Sequence, residues 1–129
     1  MAAAVAFFCW AISLFYIPGK GFSGLVQFGD AFVEQQLPEV RALNPYLVER
    51  SSGYDGQFYA QLAVRPDPAD PEVQQAMDNP AYRARRMLLP WVAHLLGAGR
   101  PAWVLQVYAL LNVACWLALA VFLWRWFPP

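Results

Sequence analysis

Asp55 stands in the segment Gly53-Tyr54-Asp55-Gly56-Gln57-Phe58-Tyr59, at a turn crowded with small and aromatic residues. A carboxylate placed there, near a membrane surface, can take a proton from a hydroxyl as a general base or bind a divalent cation. It can also do no more than cap the helix that follows. Asp30 is a second carboxylate on the same terms, although it also fits the solvated stripe of its own predicted helix. Arg83, Arg85 and Arg86 form the densest positive cluster. Guanidinium forks match phosphate oxygens, so this cluster suits a lipid phosphate or diphosphate. Plain attraction to anionic headgroups is the alternative.

Other chemistries lack their residues. There is no Gly-rich phosphate loop, HExxH zinc pattern or GxSxG elbow. One histidine and two cysteines provide neither a His-rich metal site nor a four-ligand zinc site. No metal centre or other cofactor is expected, apart from the divalent cation already named for Asp55.

The elements that hold these residues are greasy. The chain has 129 residues, 59% of them hydrophobic and 14% charged, with no net charge. Soluble domains are about 45–50% apolar, so a membrane protein is the leading class. A basic nucleic-acid binder would carry excess positive charge, and a disordered tail would have fewer aromatics. Every charged residue except Arg125 lies between Lys20 and Arg100, leaving two uncharged stretches.

The second stretch, PAWVLQVYALLNVACWLALAVFLW, starts at Pro101. As a helix it is about 36 Å long, enough for a hydrocarbon core of about 30 Å with some tilt. Trp103 and Tyr108 near one end, and Trp124, Arg125 and Trp126 at the other, fit the membrane–water boundaries. Pro101 can open this helix and Pro128-Pro129 stop it, giving a span of 101–126. A buried helix of a soluble core is the competing reading. The first stretch, residues 1–19, is shorter and ends at Pro18-Gly19. It reads as another membrane helix, because no Lys or Arg precedes it and no clear small-x-small site follows, as a signal peptide would require. Cys9 and Cys115 fall inside these runs, where cysteine behaves as a small hydrophobe. Asn112, midway along the last helix, is expected to bond to a neighbouring helix.

Residues 20–100 carry too many aromatics for a loose linker. Leu25, Phe28 and Phe32 share one helical face, and Gln27, Asp30 and Glu34 another, which predicts an amphipathic helix over about 24–36. A helix follows Asp55. Asp70-Pro71 and Asp78-Asn79-Pro80 mark two further starts. Over about 81–97, Arg83, Arg86, Pro90 and His94 share one stripe, opposite Leu88, Trp91, Val92, Leu95 and Leu96. Pro90 should kink this helix, and Gly97 and Gly99 end it. Its apolar run is too short to span, so it reads as an interfacial or re-entrant helix beside the membrane. The expected fold is an all-α membrane protein, with two transmembrane helices flanking an amphipathic helical extramembrane segment.

The run GYDGQFYAQLA, the Pro/Asp-rich loop after it, and DNPAYRARRMLLPWVAHLLG before the long apolar helix resemble a known arrangement. They are similar to the amino-terminal part of bacterial multi-pass membrane proteins related to the C-type (GT-C) glycosyltransferase superfamily. That resemblance implies a first membrane helix, an extracytoplasmic loop with helices along the membrane, and a returning helix. It implies a polyprenyl-phosphate sugar as donor, with Asp55 deprotonating the acceptor hydroxyl. Arg83, Arg85 or Arg86 would then steady the departing lipid phosphate. Two membrane helices cannot build a complete donor pocket. The chain is therefore expected to be the front portion or a truncated relative of such an enzyme. The alternative is a small non-catalytic membrane protein that docks onto a larger partner. The bacterial inner membrane is the expected location, with the middle segment outside the cytoplasm. The arginines before the last helix would argue for the opposite side, but charge bias is weak for loops beyond about 60 residues.

Overall fold

A computed structural model describes residues 2–127 of the chain. Met1 and the Pro128-Pro129 stop lie outside the described residues. The fold is mostly helical: α1 (Ala2–Ser13), α2 (Pro38–Ala42), α3 (Gly56–Val64), α4 (Pro71–Gln75), α5 (Pro80–Arg83), α6 (Leu88–Leu96) and α7 (Pro101–Trp126). Two short strands, β1 (Phe28–Gly29) and β2 (Leu47–Val48), pair in parallel.

The long element is α7. Its 26 residues reach about 39 Å. It is the one described helix long and apolar enough to cross a membrane, with a mean hydropathy of 2.1 over its most apolar 18 residues. Only Val104, Leu105, Tyr108 and Ala109, near its start, are buried. Beyond them Trp116, Val121, Phe122 and Trp126 are all exposed. A soluble core helix would be covered, and this one is not. The first apolar stretch behaves differently. Its helix stops at Ser13, and 12 residues reach only about 18 Å. Two turns then carry the chain to Lys20. There Gln106 of α7 ties it down: its Oε1 accepts from the Phe22 amide at 2.7 Å, and its Nε2 donates to the Lys20 carbonyl at 3.3 Å.

Helix α3 is the centre of the cap, the part of the chain between α1 and α7. Seven of its nine residues are buried, among them Phe58, Leu62 and Val64. It packs against α6, α7 and β1. Fully burying a Leu or Phe side chain is worth about 1.5–3 kcal/mol, so this face anchors the cap. Two glutamines sit in the same interior. Gln61 accepts from the Leu37 amide at 2.8 Å and donates to the Ala76 carbonyl at 3.1 Å. Gln57 accepts from the Gly29 amide at 3.2 Å and donates to the Ser52 carbonyl at 2.6 Å. One turn apart on α3, they satisfy backbone groups of β1 and of the segments around it that have no other partner in the interior.

The predicted helix over 24–36 does not form. The chain makes a 3-10 turn at Ser23–Leu25, passes through Gln27 at φ 59°, enters β1, and resumes a 3-10 stretch at Asp30–Gln35. A left-handed residue breaks an α-helical ladder. The competing partner is also remote: Phe28 pairs with Leu47 and Gly29 with Val48. Beside that pair, Gly29 packs directly on the backbone of Ser52 and Gly53, leaving no room for a Cβ.

The helix expected over 81–97 is divided. Asp78-Asn79-Pro80 starts α5, with Asn79 Oδ1 accepting from the Tyr82 amide at 3.1 Å, but that helix ends at Arg83. A new one begins at Leu88. Pro90 is therefore the third residue of α6, in a turn whose amides have no intrahelical acceptor, so it breaks no helical bond and imposes no kink. The interruption lies upstream, at Ala84–Met87. Helices α6 and α7 then form an antiparallel hairpin. Gly97 meets the Val104 backbone near the turn, while Arg86, Leu88 and Leu89 lie level with Leu111 and Cys115 further along. A Cβ on Gly97 would sit 2.6 Å from Val104 Cα, so glycine sets how closely the two helices approach.

Candidate functional site

Asp55 does not cap α3. Its backbone is already helical, at φ −51° and ψ −31°, and its side chain accepts no capping amide. A capping residue needs extended backbone to turn its carboxylate onto the first turn. The Asp55 carboxylate faces Arg83 instead. Arg83 Nη2 donates to Asp55 Oδ1 at 2.8 Å and to Asp78 Oδ2 at 2.7 Å, and Arg83 Nε donates to Asp78 Oδ1 at 2.9 Å. Nη1 lies 2.7 Å from Asp55 Oδ2, but its N–H bonds are poorly aligned with that oxygen, so the link to Asp55 runs mainly through Nη2.

Burial separates the members of this group. Arg83 is 4% exposed, with Cζ 4.9 Å from the Phe58 ring centroid and 5.2 Å from that of Tyr59. The side chain of Asp55 is 58% exposed and that of Asp78 39%. A covered guanidinium thus presents two carboxylates outward. Its hydrogen bonds hold both Asp55 and Asp78 below the usual aspartate range, so both are ionised at neutral pH. Two aspartates and one arginine carry a net charge of −1. The group borders an open groove of about 330 Å³, lined by Phe32, Ser52, Gly53, Tyr54 and Phe58. A carboxylate beside the exposed Tyr54 ring can accept from a hydroxyl and stabilise positive charge developing next to it. Because Arg83 depresses its basicity, Asp55 is better suited to orienting and electrostatic work than to removing a proton outright.

The remaining predicted site residues lie apart. Asp30 accepts from the Arg50 and Ser51 amides at 2.7 and 3.0 Å. Those amides lower its pKa and fix the loop after β2, which is a structural task. The arginine cluster is split. Arg83 is committed to the two aspartates and has no accessible edge for a phosphate. Arg85 and Arg86 are exposed, and neither takes part in an ion pair among the described residues. Arg86 stands over the Tyr82 ring at 5.1 Å and at the mouth of an apolar groove between α6 and α7. Asn112 is exposed on α7 and joins no side-chain hydrogen bond among the described residues, so the bond expected to a neighbouring helix is not made within them. Cys9 and Cys115 are free thiols. No group of three metal-ligating side chains occurs among the described residues.

Asp78 is the functional candidate that sequence spacing hid. It reads as part of a helix start, yet Asn79 is the cap, and this releases Asp78 to grip Arg83. The one available signal was the second polar residue at that start, which a single cap does not need. Comparison with protein-family models, curated proteins and solved structures finds no match to this chain.

Proposed function

We propose that the chain is the front portion, or a truncated relative, of a membrane-embedded glycosyltransferase of the GT-C type, acting on a polyprenyl-phosphate sugar. The observation that carries this reading is Asp55: an ionised, exposed carboxylate, braced by a buried arginine, in an aromatic-lined groove at the start of α3, a helix that packs on the membrane-length helix α7. In this reading the bond between sugar and lipid phosphate breaks as the acceptor hydroxyl attacks; Asp55 orients that hydroxyl, stabilises the positive charge building on the sugar, and takes the hydroxyl proton once the forming bond has made it acidic. Asp78 and Arg83 position it. Arg85 and Arg86, the arginines left free, face the departing lipid phosphate. Helix α7 crosses the bacterial inner membrane, the shorter first apolar stretch enters it beside α7, and the cap lies outside the cytoplasm.

A second reading draws on the apolar surfaces. Only 11% of the most apolar window of α7 is buried, and Asn112 is exposed on that helix. A polar amide among lipid-facing residues favours a neighbouring helix that can bond to it. Those helices come from the rest of the transferase in the first reading, and from a separate partner subunit in the second. The non-catalytic alternative is a small membrane protein docking through these faces.

The decisive test is Asp55→Asn in the longest reading frame that contains this segment. Loss of sugar transfer from a polyprenyl-phosphate donor, with membrane insertion preserved, supports the reading. Unchanged transfer removes Asp55 from the mechanism. Absence of further membrane helices in frame, together with co-purification of a partner subunit, favours the docking role.

A further inference from the structure

We propose that the outer face of the α6/α7 hairpin docks an amphipathic helix of a partner protein, outside the hydrocarbon, with a row of large apolar side chains and carboxylates at both ends. The inference stands whether or not the chain is a transferase. It starts from an uncovered surface. Leu88, Leu95 and Leu96 on α6 are 81%, 70% and 66% exposed. Trp91 on the same helix, and Trp103 next to the Gly97–Val104 contact, are exposed too. The other face of α6, through Pro90 and Ala93, is buried. A contiguous apolar patch of this kind marks an interaction site.

Depth decides against lipid as its cover. Helix α6 runs antiparallel to α7, from the level of Leu111 and Cys115 at Leu88 back to the first turn of α7 at Gly97. The bare half of α7 lies the other way. From Leu111 to Trp126 it covers about 24 Å, with α1 alongside: Ala4 and Phe8 lie level with Trp116 and Ala120. Pro101 stands about 15 Å beyond Leu111, in the part of the helix that packs into the cap. With the bare half in hydrocarbon, the α6 stripe projects away from the bilayer.

Shape and charge choose the occupant. Leu88, Trp91 and Leu95 fall at i, i+3 and i+7, a ridge along α6 beside a groove of about 520 Å³ against α7. A ridge beside a groove is the surface on which another helix packs. Arg86 stands at one end of the groove and Arg100 on the turn after Leu96. Both are exposed, and neither takes part in an ion pair among the described residues. Their neighbours in sequence do not neutralise them: from Asn79 to Pro129 the chain has five arginines and no Asp or Glu. Carboxylates at both ends of a partner helix meet these cations, whereas a second copy seated by the same face would set arginine against arginine. The docked helix takes Arg86 and leaves Arg85 to the lipid phosphate of the transferase reading.

The full chain in nanodiscs of phosphatidylcholine, which carries no net charge, provides the test. The probe is a fluorescent synthetic helix of about five turns, with Leu at i, i+3, i+4 and i+7 and Glu at both ends; its control carries Lys in place of Glu. Fluorescence anisotropy should show saturable binding of the Glu peptide, and about tenfold weaker binding of the Lys peptide. Arg86→Gln with Arg100→Gln should weaken the Glu peptide about tenfold, as expected for losing two exposed ion pairs, without weakening the Lys peptide. Leu95→Glu changes an exposed side chain and should remove binding, so it reads the face should the arginine variant fold poorly. Absence of saturable binding, equal binding of the two peptides, or indifference to both sets of changes overturns the proposal. A bimane on Leu95→Cys, in a Cys9→Ala and Cys115→Ala background, reads the competing covers without peptide. Quenching by brominated acyl chains would give the face to the bilayer, and Leu95→Cys cross-linking between copies would give it to a second chain; either result overturns the proposal.

Discussion

Replacing Arg83 with alanine tests the centre of the cap. The substitution removes three well-formed hydrogen bonds to Asp55 and Asp78, and strips a cation from the rings of Phe58 and Tyr59. Breaking a buried ion pair costs about 3–5 kcal/mol, because a charge is left without its partner. Here the survivors are the two carboxylates, and their partial exposure lets water reclaim them. The expected loss therefore sits at the lower end, about 3 kcal/mol, including a cation–π share of about 0.5–2 kcal/mol. Arg83→Lys should lose about half as much, since a point charge cannot bridge two carboxylates as a planar fork does. Urea unfolding in detergent micelles, followed by near-UV circular dichroism, measures this. With a slope of about 1–3 kcal/mol per molar urea, Arg83→Ala should lower the midpoint by about 1–3 M. Asp55→Asn and Asp78→Asn should each shift it less, because an amide oxygen still accepts. A midpoint for Arg83→Ala within about 0.3 M of the parent would refute the buried clamp.

Acid should act on the same clamp. Asp55 and Asp78 have folded pKa values lowered from 3.8 by their hydrogen bonds to Arg83. Their contribution is complete above the unfolded value and disappears as pH falls through the lowered folded value. The urea midpoint should stay level down to about pH 5, decline below about pH 4, and decline less in Arg83→Ala. Gln61→Leu would strand the Leu37 amide and the Ala76 carbonyl in the interior; a loss of about 2–4 kcal/mol in the same unfolding assay is expected, and near-neutrality would mean the two backbone groups find other partners. Gly97→Ala forces a methyl against Val104 and should cost about 1–3 kcal/mol by spreading α6 from α7, visible as increased cysteine reactivity at Cys115 if the hairpin loosens.

Patterns that depend on neighbours along the chain were readable. The uncharged run from Pro101 specifies a long apolar helix, since a helix bonds its own backbone and needs only composition and length. Asp70 does cap α4, accepting from the Glu72 and Val73 amides at 2.8 and 3.3 Å, and Asn79-Pro80 opens α5, because caps are made within one turn. The outward apolar stripe of α6 follows from spacing as well.

Only the tertiary structure decided the rest, because the decisive partners are distant in sequence. Leu25, Phe28 and Phe32 have helical spacing, yet Phe28 and Gly29 find Leu47 and Val48, and a long-range pair overrides a local period. Arg83, Arg85 and Arg86 look equivalent on paper. Folding buries the first between Asp55 and Asp78 and leaves the other two exposed, since a break at Ala84–Met87 redirects the chain. Asp55 could be singled out as a residue, but its braced, ionised state required an arginine 28 positions away. Composition selects the solvent for α7, and the geometry of the cap decides which charges are spent within the fold and which stay free.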